Sequence, residues 1–166
     1  MASPLFQRAS VQVFDGFRRR ISHSWMEQIL ESALDLCDDL HLLAVSLVIA
    51  DDETLQRLNC QYREIDEPTD VLSFLLWDHS GDVKDVSGEF IALATDFTKF
   101  GEIVISYPRA VSQAHERKNT VKSELAMLVV HGILHLIGYD HYEFDDEIEM
   151  WSRQEEILAT LKLQEG

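Results

Sequence analysis

Between Thr120 and Ile137 the chain is apolar almost all round: Leu125, Ala126, Met127, Leu128, Val129, Val130, Ile133, Leu134, Leu136 and Ile137. A helix without a polar face has to be enclosed by other elements, so this segment predicts a domain assembled round one buried helix. Val11-Gln-Val-Phe14 alternates and predicts a first strand. Leu43–Ala50 and Val71–Leu76 are short apolar runs suited to strands covered on both faces, and Glu102–Tyr107 reads as a fourth. Ser24-Trp-Met-Glu27 reads as a capping box ahead of Trp25, Ile29, Ala33, Leu36, Cys37 and Leu40 at helical spacing. Asp51 and Asp52 are N-cap candidates for a short helix carrying Leu55 and Leu58. Ser106 or Tyr107 ahead of Pro108 suits a helical first turn. A last helix over roughly Asp145–Leu161 carries Ile148, Met150, Trp151, Ile157, Leu158 and Leu161. Residues 77–100, polar and Gly-containing, read as a hairpin or an excursion. Helices interleaved with strands imply an α+β or mixed α/β domain, and no repeat or Pro/Gly-rich linker divides residues 1–166.

Charge narrows the function. Against 14 Lys+Arg stand 30 Asp+Glu, a formal −16. Such a chain is no general polyanion binder, because its field repels phosphate at long range. A nucleic acid would have to be handled at a local site. Only residues 103–142 escape the acidic excess, with four bases to three acids. Plain solubility accounts for an acidic surface. No apolar run is long enough for a bilayer crossing, and the Met-Ala-Ser-Pro start lacks the pattern of a secretory signal. Cys37 and Cys60 make no disulfide framework and read as reduced thiols, so a cytoplasmic location without membrane partners is expected.

Three of the seven histidines fall within eleven residues, His131-Gly-Ile-Leu-His135-Leu-Ile-Gly138-Tyr-Asp-His141. His131 and His135, four apart on the buried helix, share a face and can converge on one ion. Were the helix to continue, His141 would sit about 9 Å further along the axis and face elsewhere. Gly138 can adopt the left-handed conformation that ends a helix and turns the chain back, which returns His141 as a third ligand. Three protein ligands leave one position open, as in catalytic zinc centres. Two hydrogen-bonded core histidines plus a surface one is the alternative, but unpaired buried imidazoles cost on the order of 1–3 kcal/mol each. His23, His41, His79 and His115 lack this context and read as surface or structural residues.

The spacing also matches the longer metzincin pattern, yet the general-base Glu of a metallopeptidase, which follows the first ligand, is here Gly132. A peptidase is therefore the second choice.

Three segments together resemble the YbeY endoribonuclease family. They are the histidine block followed by Met150…Gln154-Glu-Glu-Ile-Leu158, the stretch Leu58-Asn-Cys-Gln-Tyr-Arg63 through Asp70-Val-Leu-Ser-Phe74, and Gly101-Glu-Ile-Val-Ile-Ser106-Tyr-Pro-Arg109. The resemblance covers most of residues 40–160. It implies a zincin-like single domain with a mixed, roughly four-stranded sheet. It also implies one Zn²⁺ held by His131, His135 and His141, and an arginine, Arg63, needed for activity. The activity it implies is cleavage of single-stranded RNA, in small-subunit rRNA 3′-end maturation and ribosome quality control. The implied partners are single-stranded rRNA and the ribosomal small subunit or its assembly proteins; neither DNA nor membrane is expected. The chain departs from the family pattern at Glu102, where Asp is usual, and at Leu75, where Pro is common after Leu-Ser-Phe.

In this reading Arg63 offers a fork of donors matched to phosphate, and an ion pair with Asp66 or Asp70 is the alternative. Asp140 could orient a ligand histidine or simply end the helix. Asn59, Thr69, Asp70 and Ser73 are candidates for the cleft wall. A third reading, an assembly factor that acts mainly by binding basic ribosomal proteins, draws on the acidic surface.

Overall fold

A computed structural model describes residues 8–37, 43–78, 99–138 and 144–165. Among the described residues the elements run β1 (Ala9–Val13), α1 (His23–Cys37), β2 (Leu43–Ala50), α2 (Asp52–Arg63), β3 (Val71–Asp78), β4 (Lys99–Ser106), α3 (Tyr107–Arg117), α4 (Val121–Leu136) and α5 (Phe144–Glu165). The sheet has the order β1-β2-β4-β3. β1 and β4 flank β2 in parallel, and β3 runs antiparallel to β4 along one edge. The protein is thus α+β with a mixed four-stranded sheet. The polar stretch 79–98 lies outside the described residues.

Alternation along the strands divides the core. Leu43, Val45, Leu47, Ile49, Ile103 and Ile105 face a large cluster shared with α1, α4 and α5. Ala50, Leu72 and Val104 face the other way, onto Leu55 of α2. α4 is the predicted buried helix: it packs against α1, α3, α5, β3 and β4, and Leu128, Val129, Val130, Ile133 and Leu134 are buried. Gly132 lets it come close to the sheet. A Cβ there would lie 2.9 Å from Cδ1 of Ile103 and 3.1 Å from Oγ of Ser73, and Ser73 Oγ donates to the Gly132 carbonyl at 3.3 Å. Gly132→Ala is therefore expected to destabilise the fold by about 1–3 kcal/mol through overpacking. A denaturant midpoint equal to or above wild type would contradict this contact.

Helix starts follow the expected chemistry, with one shift. Asp51 accepts from Thr54 N at 2.8 Å, Ser106 from Arg109 N at 3.2 Å and Thr120 from Ser123 N at 3.0 Å. Hydrogen bonds from the Thr54 side chain and then its amide hold the Asp51 carboxyl below its ordinary value, as an N-cap carboxylate should be. For α1 the cap is Ser22, whose Oγ accepts from Trp25 N at 3.2 Å, not Ser24. Ser24 lies two residues too late, already inside the helix. Tyr107, read as the end of a strand, is the first residue of α3. The expected apolar stripe of α5 is only partly internal: Met150, Ile157 and Leu161 are buried, whereas Ile148 is 52% and Trp151 57% exposed.

On the α2 side of the sheet, Glu102 lies in register with Ser46 of β2 and Phe74 of β3. Burial pushes its carboxyl above the ordinary value, because lost hydration disfavours the charged form. A raised folded-state pKa favours folding below the unfolded value and costs stability once pH climbs through the folded one. Glu102→Gln should accordingly raise Tm at pH 7, with the gain vanishing near pH 4. A gain equal at both pH values would refute that origin.

Candidate active site

The buried helix carries its two histidines where the large core ends. His131 and His135 are half-buried; their rings lie 4.7 Å apart at 76°, and their Nε2 atoms approach to 3.2 Å. His131 Nδ1 lies 3.1 Å from Oε1 of Gln154 on α5. Since an amide oxygen only accepts, Nδ1 carries the proton and the Nε2 lone pair faces His135.

This donor set fits a transition metal. Two nitrogens on one tetrahedral zinc at 2.0–2.1 Å lie about 3.3–3.4 Å from each other, close to the 3.2 Å seen here. The Gln154 contact supplies the outer hydrogen bond that fixes a ligating imidazole. Directly after α4, Gly138 takes φ +108°, the left-handed turn anticipated for it, and its N–H bonds to the His135 carbonyl at 3.2 Å. His141 and Asp140, beyond that turn, lie outside the described residues. Among the described residues no three metal-binding side chains cluster.

Two clefts flank the histidine pair. On the His135 side a cleft of ≈ 370 Å³ is lined by Arg63, Ser73, Leu75, Lys99 and the His135–Gly138 turn. Arg63 is the last residue of α2, and Glu64 beyond it closes the helix with φ 60°. Among the described residues Arg63 is exposed and forms no ion pair. Asp66 instead accepts from Gln56, and Asp70 accepts from Val71 N and Gln113. The alternative of a pair with Asp66 or Asp70 is not formed. Arg63 and Lys99 are two of only four bases in residues 51–102, a stretch that holds thirteen acids, so the cleft gathers cations that the overall composition lacks.

On the His131 side a cleft of ≈ 360 Å³ is lined by Asp70, Arg117, Met127, Leu128, His131, Trp151, Gln154 and Glu155. Arg117 is bound at 2.7 Å to Glu124, which is 1% exposed. Burial pushes that Glu124 carboxyl up while Arg117 pulls it down.

Of the proposed wall residues, Ser73 and Asp70 line these clefts. Asn59 is buried and donates to the Glu67 carbonyl at 3.0 Å, and Thr69 bonds to Asp70; both serve the loop instead. Lys99 and Trp151 were not singled out by sequence. Being one of few bases inside an acidic stretch was the available signal for Lys99. For Trp151 the helical stripe pointed to the core.

Comparison with known proteins agrees with this architecture. A family model described as Endoribonuclease YbeY matches residues 14–162. An endoribonuclease YbeY of Roseiflexus sp. is 40% identical over 154 residues, covering 92% of each chain. One from Dehalococcoides mccartyi is 37% identical over 146 residues, 88% of this chain and 91% of its own. The solution structure of a Thermotoga maritima protein superposes with TM-score 0.58 at 26% identity, over 90% of this chain and 86% of that one. Fold, histidine helix and sequence match together place the chain in the YbeY family of endoribonucleases.

Proposed function

We propose that this endoribonuclease cuts single-stranded RNA at a zinc centre held by His131, His135 and His141, with Arg63 as the residue that meets the scissile phosphate. The observation that carries the reading is the 3.2 Å approach of two imidazole Nε2 atoms beside a cleft lined by Arg63 and Lys99. The family resemblance implies metal dependence, and a bound zinc would supply Lewis acidity toward a phosphoryl oxygen and an acidified water near neutral pH. The chain's own residues do the rest. The Arg63 guanidinium forks onto non-bridging oxygens as charge grows there, and Lys99 adds a point charge. Gln154 keeps the His131 ring in one tautomer. The nucleophile is water or the ribose 2′-hydroxyl; a 2′,3′-cyclic phosphate end on the product marks the hydroxyl. The cellular substrate in this reading is small-subunit rRNA near its 3′ end, presented on the ribosomal subunit, which overcomes the repulsion of a −16 chain.

Labelled single-stranded RNA, the same RNA as a duplex, and a peptide are the substrates that test this. The zinc-loaded protein should cut only the single strand, lose that activity in chelator and regain it with zinc. Cleavage indifferent to chelator, or equal on the duplex, would overturn the reading.

A further inference from the structure

The two clefts beside the histidine pair differ in chemistry. The one next to His135 holds Arg63 and Lys99, which suits phosphate. The one next to His131 has an apolar floor of Met127 and Leu128, the indole of Trp151 and the carboxylate of Glu155, beside Asp70 and Gln154, whose oxygens already accept from Val71 N, Gln113 and His131. Carboxylates repel a phosphate but accept hydrogen bonds from exocyclic amino groups of nucleobases. Among the described residues that line it, the one Arg or Lys is Arg117, which is engaged by Glu124.

Trp151 is well placed to serve such a cleft. It sits three residues before Gln154 on α5, and thus on the same helix face, while Gln154 itself touches His131 at 3.1 Å. The helix is anchored by buried Met150, Ile157 and Leu161 and by Arg153, which donates to the Leu36 carbonyl of α1 at 2.8 Å. The indole is nonetheless 57% exposed. An aromatic side chain fixed on an anchored helix is a platform prepared for stacking.

We infer that Trp151 stacks on a nucleobase adjacent to the scissile phosphate, so that the RNA lies across the histidine pair with its backbone toward Arg63 and one base in the Trp151 cleft. This rests on the proposed nuclease reading and adds to it a subsite for one unpaired base. Such a subsite gives a physical reason for single-strand preference: a base held in a duplex cannot turn its face to an indole.

The test pairs Trp151→Ala with single abasic positions placed through a short RNA around the cut. Trp151→Ala should raise KM about 5- to 150-fold, the range of one lost base–aromatic stack, and Trp151→Phe should recover most of it. At one position the abasic RNA should raise KM for wild type yet leave Trp151→Ala unaffected. In EDTA, where no cutting occurs, the intact oligomer should quench tryptophan emission more in wild type than in Trp151→Phe. Wild type that fails to cut at all would sink the nuclease reading and the subsite with it. Wild type that cuts, with KM unchanged in Trp151→Ala and equal quenching in both proteins, would overturn the subsite alone and leave the indole to a protein partner.

Discussion

His135→Ala is expected to yield a folded protein that retains no stoichiometric zinc and cuts RNA at least about a thousandfold more slowly. A Lewis acid at the reacting phosphate is worth several kcal/mol, and about 4 kcal/mol corresponds to three decades in rate. The fold should tolerate the change. His135 is half-buried on α4, alanine is the best helix former, and none of the large buried side chains of the core is touched. His131→Ala should behave in the same way while also stranding the Gln154 amide. Metal analysis and cleavage of a labelled oligomer check both. His135→Ala that keeps its zinc and cuts within tenfold of wild type would remove the imidazole pair from the chemistry.

Arg63→Ala is expected to separate metal from catalysis in the opposite way. Zinc should remain bound and activity should fall by about 10²–10³, the usual loss for one preorganised donor on a developing oxyanion. The side chain is exposed, so the folding cost is that of a cation missing from a helix C-terminus, about 0.3–1 kcal/mol. Lysine at 63 should restore only part of the rate, since a point charge lacks the two parallel N–H groups of the fork. Unchanged cleavage by Arg63→Ala would show that Lys99 alone meets the phosphate, or that RNA crosses the site elsewhere.

Much of this was legible because local chemistry dictated it. A segment without a polar face had to lie inside, and α4 does. Glycine at 138 was the residue able to take a positive φ at the helix end, and it takes +108°. Asp51, Ser106 and Thr120 are each three residues before the amide they cap, a spacing readable from sequence. The start of α1 was misread at Ser24, because Ser22 two residues earlier offers the same oxygen and is the one three residues before the amide it caps. What could not be read depends on register across the sheet. Lys99 reaches the Arg63 cleft because β4 lies antiparallel to β3 with Lys99 opposite Asp78, a pairing that no short pattern contains. Trp151 was misplaced for another reason. It borders the stripe of Met150, Ile157 and Leu161, and helical periodicity does not distinguish an edge residue from an internal one.

Gly132 connects fold and chemistry. The position where a metallopeptidase carries its general base is here a close contact between α4 and the sheet, so the scaffold holds histidines without room for that carboxylate. In the proposed reading the chemistry would come from the ion and from cations across the cleft, which suits phosphate better than a peptide carbonyl.

Zinc K-edge X-ray absorption of the loaded protein addresses the proposed centre most directly. Three imidazole nitrogens and one further light atom at about 2.0–2.1 Å are predicted, with the imidazole signal reduced in His135→Ala. A sulfur shell near 2.3 Å, which would implicate Cys37 or Cys60, or a shell of water oxygens without imidazole, would contradict it.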